Sequence, residues 1–260
     1  MRILVTNDDG VDSPGIRALA AALVADGHDV FVVAPTDDRS GAGASIGRMI
    51  GSGPPPVERR VWDELPELPV HAIDAPPAMA VFATCLGAFG DLPDLIASGI
   101  NPGANTGHLV LHSGTVGATL TGAGYGIPGV AVSIDWSVER EYHWDVAARI
   151  AAAAVEWVAK PDGDARVLNV NVPNLPLAEL RGVREAELAP AGEVWVASAD
   201  VSQGDLKIEI TGRADSAPGT DVAFVQDGYV SVTPLMSIVR GPARGAATAI
   251  IDALGVAAPG

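Results

Sequence analysis

Short apolar runs without period-2 alternation recur along the first two thirds of the chain, at Arg2–Thr6, Val30–Ala34, Val70–Asp74, Leu95–Ser98, Val130–Ile134 and Val167–Val170. Unbroken apolarity is the pattern of strands buried on both faces, as in a parallel sheet covered by helices. Between these runs the period lengthens to that of a helix. In "DSPGIRALAAALVADGHDV", Ile16, Leu19, Ala20 and Leu23 fall on one face. Ser13 is placed to cap, Pro14 suits the first turn, and Gly27 lies just past the end. In "EREYHWDVAARIAAAAVEWVAKPDGD", Tyr142, Val146, Ile150 and Trp157 line up before Pro161 stops the helix. Alternating strand and helix predicts a doubly wound α/β fold with right-handed crossovers.

From about Pro173 the pattern changes. "RGVREAEL", "EVWVASAD", "DLKIEITG" and "GYVSVTPL" read as antiparallel strands, and the alanine-rich tail after Pro242 reads as helical. The Gly- and Pro-rich stretch Gly47–Trp62 reads as a surface loop or a hairpin.

Composition narrows the function. The 260 residues are 48% hydrophobic, so the chain can bury a large core. A formal net charge of −16 argues against binding nucleic-acid polymers or anionic membrane surfaces. The only lysines are Lys160 and Lys207, so a phosphate ligand must be held by arginine, backbone N–H groups or a metal. The single cysteine, Cys85, excludes an intrachain disulfide and a multi-cysteine zinc site, and "AVFATCLGAF" reads as a packed thiol. No leader pattern opens the chain and no apolar run reaches membrane-spanning length, which predicts a cytoplasmic protein.

Polar residues collect where the predicted strands end. "NDDG" follows the first, "APTDDRSGAGAS" the second, "DAPPAM" the third and "SGINPGANTGHLVLHSGTVG" the fourth. In open α/β sheets, ligands bind outside the carboxyl ends of the strands. An isolated Asp-Asp pair reads as an exposed turn. Beside Asn7, Gly10 and a buried strand, Asp8 and Asp9 read instead as ligands of a hard divalent cation. A hydroxyl from Ser40 and an amide oxygen from Asn101 would complete an all-oxygen set. Ser113, Gly114 and Thr115 begin a helix whose free N–H groups favour an anion, and Gly103 and Gly107 permit close approach. Other features are weaker. "GAGASIG" has the wrong glycine spacing for a dinucleotide fingerprint, and Ser113 lacks the G-x-S-x-G elbow. His108 and His112 read as exposed loop residues. Arg39 either touches a phosphate or pairs with Asp37 and Asp38.

The segments "RILVTNDDGVDSPGI", "VVAP…DRSGA", "PDLIASGINPGANTG", "SGTV" and "GTDVAFVQDGYVSVTPL" occur in order across residues 2 to 235. This ordered set resembles the SurE (survival protein E) family of metal-dependent nucleotidases. The resemblance implies a three-layer Rossmann-like α/β fold, mostly parallel, with a C-terminal β-hairpin and helix extension. It implies one domain over 1–260, with a core of about 1–172 and an extension of about 173–260 used to build a homodimer or homotetramer. It implies phosphomonoesterase activity on nucleoside 5′- or 3′-monophosphates, with one Mg²⁺ or Mn²⁺ per subunit.

Carried over by position, Asp8, Asp9, Ser40 and Asn101 match the family's metal ligands, with Asp8 and Asp9 also catalytic. Asn105, Ser113, Gly114 and Thr115 match its phosphate-contacting loops. The cation can activate a water with one Asp as base, or an Asp can attack to give an aspartyl-phosphate; the first route is the preferred reading. Four departures stand out. Ala75-Pro76-Pro77-Ala78-Met79 lacks the family's Thr and Asp, two extra residues enter between Ser40 and Ser45, His112 replaces an aromatic, and Thr121 a glutamate. They keep two alternatives open: a diverged hydrolase of a non-nucleotide phosphate ester or other metabolite, and a non-catalytic nucleotide-binding homologue.

Overall fold

The computed structural model describes residues 1–47, 53–139, 141–160, 167–190, 194–202, 205–213, 216–236, 238 and 253. Strands β1 (Arg2–Thr6), β2 (Asp29–Pro35), β5 (Leu95–Pro102), β6 (Gly129–Ile134) and β7 (Val167–Val172) form the parallel centre of a sheet. β6 and β7 are buried at every position. β4 (Leu65–Ile73) extends the sheet beside β2, and β3 (Val57–Trp62) folds back antiparallel on β4. The Gly/Pro-rich stretch thus closes as a hairpin over its last six residues, while residues 48–52 lie outside those described.

Helices α1 (Pro14–Ala25) and α4 (Trp144–Val158) cover one face; α2 (Pro77–Cys85) and α3 (Gly114–Gly124) pack together over the other. Side chains divide between the two cores as a strand's period of two requires. Ile3 and Val5 of β1 join the α1/α4 core with Val30 and Val32, whereas Leu4 joins the α2/α3 core with Phe31 and Val33. Each such fully buried side chain contributes about 1.5–3 kcal/mol. Cys85 is half-buried against the α2/α3 core, and burial raises its thiol pKa.

The order is β3-β4-β2-β1-β5-β6-β7-β11-β8, with β11 (Val230–Leu235) and β8 (Val183–Glu185) at the far edge. β11 runs antiparallel to β7, but β8 and β11 are parallel, which corrects the expectation of antiparallel strands throughout the C-terminal region. The reason is insertion: β11 enters between β7 and β8 instead of following either. β9 (Val194–Ser202) and β10 (Asp205–Arg213) form the expected antiparallel hairpin as a separate two-stranded sheet. The predicted helix after Pro242 lies almost wholly outside the described residues. No described helix is long and apolar enough to cross a membrane.

Successive connections run leftward from β1 and then, from β5, rightward. The sheet reverses direction between β1 and β5, and a crevice opens at their carboxyl ends.

Candidate active site

That crevice is a cleft of about 470 Å³ whose lining includes Asp9, Ser13, Asp38, Ser40, Asn101, Trp136, Tyr142 and Trp144. Three predicted cation ligands, Asp9, Ser40 and Asn101, therefore meet in one cleft. The fourth, Asp8, sits behind it and is 3% exposed.

The loop after β1 is shaped by Asn7, whose Nδ2 donates to the Gly10 carbonyl at 3.0 Å and to Ser13 Oγ at 2.8 Å. Ser13 occupies the N-cap position of α1 but makes no side-chain cap bond, because its hydroxyl oxygen already accepts from Asn7. The expected cap is instead a brace for the Asp-Asp loop. Next to it, the Arg39 N–H donates to the Asp8 carbonyl at 2.7 Å and ties the loop after β2 to the loop after β1.

Asp8 closes the start of α3. Its Oδ1 accepts from the Thr115 hydroxyl at 2.6 Å and its Oδ2 from the Gly114 N–H at 3.2 Å. Gly114 is needed for this approach, since a Cβ there would lie 2.7 Å from Asp8 side-chain atoms. Gly117 allows a second approach: its Cβ would lie 2.5 Å from the Gly43 backbone, so α3 and the Ser40 loop lock together. Ser113 caps α3 by accepting from the Val116 N–H at 3.1 Å.

Asp9 stands apart. Its Oδ2 is buried with no hydrogen-bond partner. Burial, then the negative charges of Asp8 and Asp38, push its carboxyl pKa up to about 8. Burial also raises Asp8, against the lowering effect of its Thr115 and Gly114 bonds. A carboxylate with one buried oxygen lacking a donor, set among other carboxylates, fits a positive charge, and here a divalent cation suits an all-oxygen donor set. Among the described residues no group of three or more His, Cys, Asp or Glu is arranged to hold a metal ion, so neutral oxygens must complete the set.

Two neutral oxygens are already oriented. The Ser40 hydroxyl donates to Asp38 Oδ1 at 2.6 Å, which leaves its lone pairs to accept. Asn101 Nδ2 donates to the Gly103 carbonyl at 2.6 Å, which fixes Oδ1 as the other end of the amide. Asp38 was read in the sequence only as a partner for Arg39. The structure pairs Arg39 with Asp74 instead, because Asp38 is engaged by the Ser40 hydroxyl and N–H.

The four residues expected to contact phosphate do not line the cleft. Gly114 and Thr115 face Asp8, and Ser113 caps its own helix. Asn105 belongs to a neutral cluster: its N–H donates to Asn171 Oδ1 at 2.7 Å, its carbonyl accepts from Asn169 and Asn171, and its Nδ2 donates to Ser133 Oγ at 2.9 Å. Neither Asn169, which sits inside the predicted run Val167–Val170, nor Asn171, which lies just past it, is assigned from the sequence. Their i, i+2 spacing inside a buried strand was the available signal. Asp221 is not assigned from the sequence either. This fully buried carboxylate, in the first turn of α5 (Asp221–Gln226), accepts from the Gly107 N–H at 2.7 Å and the Ala189 N–H at 3.0 Å. It thereby holds the loop before α3 against the C-terminal region. His108 and His112 are exposed, as expected.

Residues 3–193 match the family model described as Survival protein SurE. A protein of Stenotrophomonas maltophilia (strain K279a) named 5′-nucleotidase SurE is 39% identical over 246 residues, covering 90% of this chain and 89% of its own length. One of the same name from Xanthomonas oryzae pv. oryzae (strain PXO99A) is 37% identical over 254 residues, with the same coverage of each. The crystal structure of the SurE protein from Aquifex aeolicus superposes with a TM-score of 0.74 at 31% identity, covering 98% of this chain and all of that one.

Proposed function

The chain belongs to the SurE survival-protein family, and from that premise we propose that it is a divalent-metal-dependent phosphatase of nucleoside 5′- or 3′-monophosphates. The observation that carries the reading is the orphaned Asp9 carboxylate in a cleft shared with Asp38, Ser40 and Asn101. Family relatives named as 5′-nucleotidases supply the substrate class.

Asp8, Asp9, Ser40 and Asn101 would hold one Mg²⁺ or Mn²⁺. Bound there, the ion would offset phosphate charge and lower the pKa of a water molecule. Asp8 then has two partners to choose between, the cation and the start of α3. With Asp8 engaged by the ion, the Gly114 N–H and the Thr115 hydroxyl would be left as donors at a helix N-terminus, beside Ser113, where a phosphate would bind. Asn105 sets the position of the loop leading into that helix. Asp9, which the ion would keep ionised, would accept the proton of the attacking water.

The extension from about residue 173 serves assembly into a homodimer or homotetramer. Its β9–β10 hairpin stands as its own two-stranded sheet, and such a hairpin gains stability by packing on another chain. A cytoplasmic setting agrees with the single cysteine.

The test is phosphate release from nucleoside 5′- and 3′-monophosphates and sugar phosphates, with Mn²⁺ or Mg²⁺ and with EDTA. Release from nucleotides that EDTA abolishes is the expected result. Release only from base-free esters would favour a diverged hydrolase, and nucleotide binding without release a non-catalytic homologue.

A further inference from the structure

The cleft that holds Asp9, Ser40 and Asn101 is walled elsewhere by three aromatic rings, Trp136, Tyr142 and Trp144. Two of them are fixed. The Tyr142 and Trp144 ring centroids lie 4.7 Å apart with planes inclined by 34°, and both pack on the α1/α4 core. Trp144 closes against the start of α1, where a Cβ on Gly15 would come within 3.1 Å of its ring. The Ser137 N–H donates to the Tyr142 hydroxyl at 3.5 Å and spans the turn between them.

Trp136 differs. It stands two residues past the end of β6, with its backbone N–H held by Asp135 Oδ1 at 2.8 Å, yet it is 57% exposed. An indole is a large apolar surface to leave in water. Here the open ring lines a cleft of ligand size, together with an aromatic pair already set in the core. The polar lining suits a phosphate held through a cation, and the rings offer an apolar face beside it.

Building on the nucleotidase reading, we propose that this aromatic wall receives the nucleobase and that the base stacks on Trp136. Stacking on an aromatic face is tolerant of base identity, because every base presents a π-face. The wall therefore selects nucleotides over base-free phosphate esters, with purines and pyrimidines both accepted.

The test compares kcat/KM for adenosine 5′-monophosphate and ribose 5-phosphate in wild type, Trp136→Ala and Trp136→Phe. Removing a stacking ring is worth about ten-fold. Trp136→Ala is expected to lower the nucleotide-to-sugar-phosphate ratio by that factor, through KM, and Trp136→Phe to restore most of it. A ratio that stays at the wild-type value in Trp136→Ala overturns the proposal. Binding is read separately by tryptophan emission after stopped-flow mixing with adenosine 5′-monophosphate and Mg²⁺, before turnover. A saturable quench that is lost in Trp136→Phe supports stacking at this ring, and its absence from wild type overturns it. A quench without phosphate release would keep the stacking site and overturn the nucleotidase reading instead.

Discussion

Two polar clusters lie near the carboxyl ends of neighbouring strands, and they are built in opposite ways. Around Asn105, the side chains of Ser133, Asn169 and Asn171 are neutral, fully buried and joined by hydrogen bonds of 2.7–3.1 Å. Around Asp9, three carboxylates gather. Each cluster leaves one buried oxygen without a hydrogen-bond partner, Asn169 Oδ1 in the first and Asp9 Oδ2 here. Only here does that oxygen belong to an ionisable group. A neutral network in a low-dielectric interior stiffens the loop it holds. Burial and the neighbouring negative charges raise the Asp9 pKa, and such a cluster costs stability until a cation neutralises it. The first braces a loop and the second is the proposed cation site, although both are built from short polar side chains.

The sharpest way to break this contrast is to neutralise the charged cluster. Asp8→Asn and Asp9→Asn should each reduce nucleotide hydrolysis to background at saturating metal while circular dichroism stays at the wild-type spectrum. Full activity in either variant would remove that residue from the reaction. Gly114→Ala comes next. Its new Cβ must displace Asp8, and an ångström-scale error in a reacting constellation costs about 10²-fold, read as kcat/KM.

Asn171→Ala tests the other cluster. It strands the Asn105 N–H, so thermal unfolding should report a loss of about 1–3 kcal/mol. A pH series sharpens the comparison further. Asp9 holds its proton in the folded chain up to about pH 8, but the unfolded chain releases it near the ordinary value of 3.8. Metal-free wild type should therefore lose stability as pH rises from about 4 to 8, and Asp9→Asn should lack that share of the slope. The smallest effect belongs to Arg39→Ala. It breaks a partly exposed pair with Asp74, so its unfolding free energy should fall by no more than about 1 kcal/mol.

The central strands could be read from the sequence because burial on both faces leaves a largely apolar run. Five of the six predicted runs lie within strands of the sheet, and the sixth, Val70–Asp74, passes the end of β4 by one residue. β8 could not be placed, since three residues carry no periodicity and its neighbour β11 arrives some 45 residues later in the chain. That Asp9, Ser40 and Asn101 would share one cleft was legible because each follows or ends a strand. The unequal environments of Asp8 and Asp9 were not. Nothing in "NDD" says that both carboxylate oxygens of Asp8 will be held by Gly114 and Thr115 while Asp9 Oδ2 is left without a donor, because those partners lie more than 100 residues away. Asp38 was hidden by its neighbour Arg39, whose obvious local pairing the fold replaces with Asp74.

The central claim is that the unpartnered carboxylate marks a cation site. Calorimetric titration of the metal-free protein with Mn²⁺, without nucleotide and in buffers of different ionisation enthalpy, tests it most directly. The account predicts one ion per chain, a proton released on binding near pH 7, and loss of both in Asp9→Asn. Equal Mn²⁺ affinity in wild type and Asp9→Asn would contradict it.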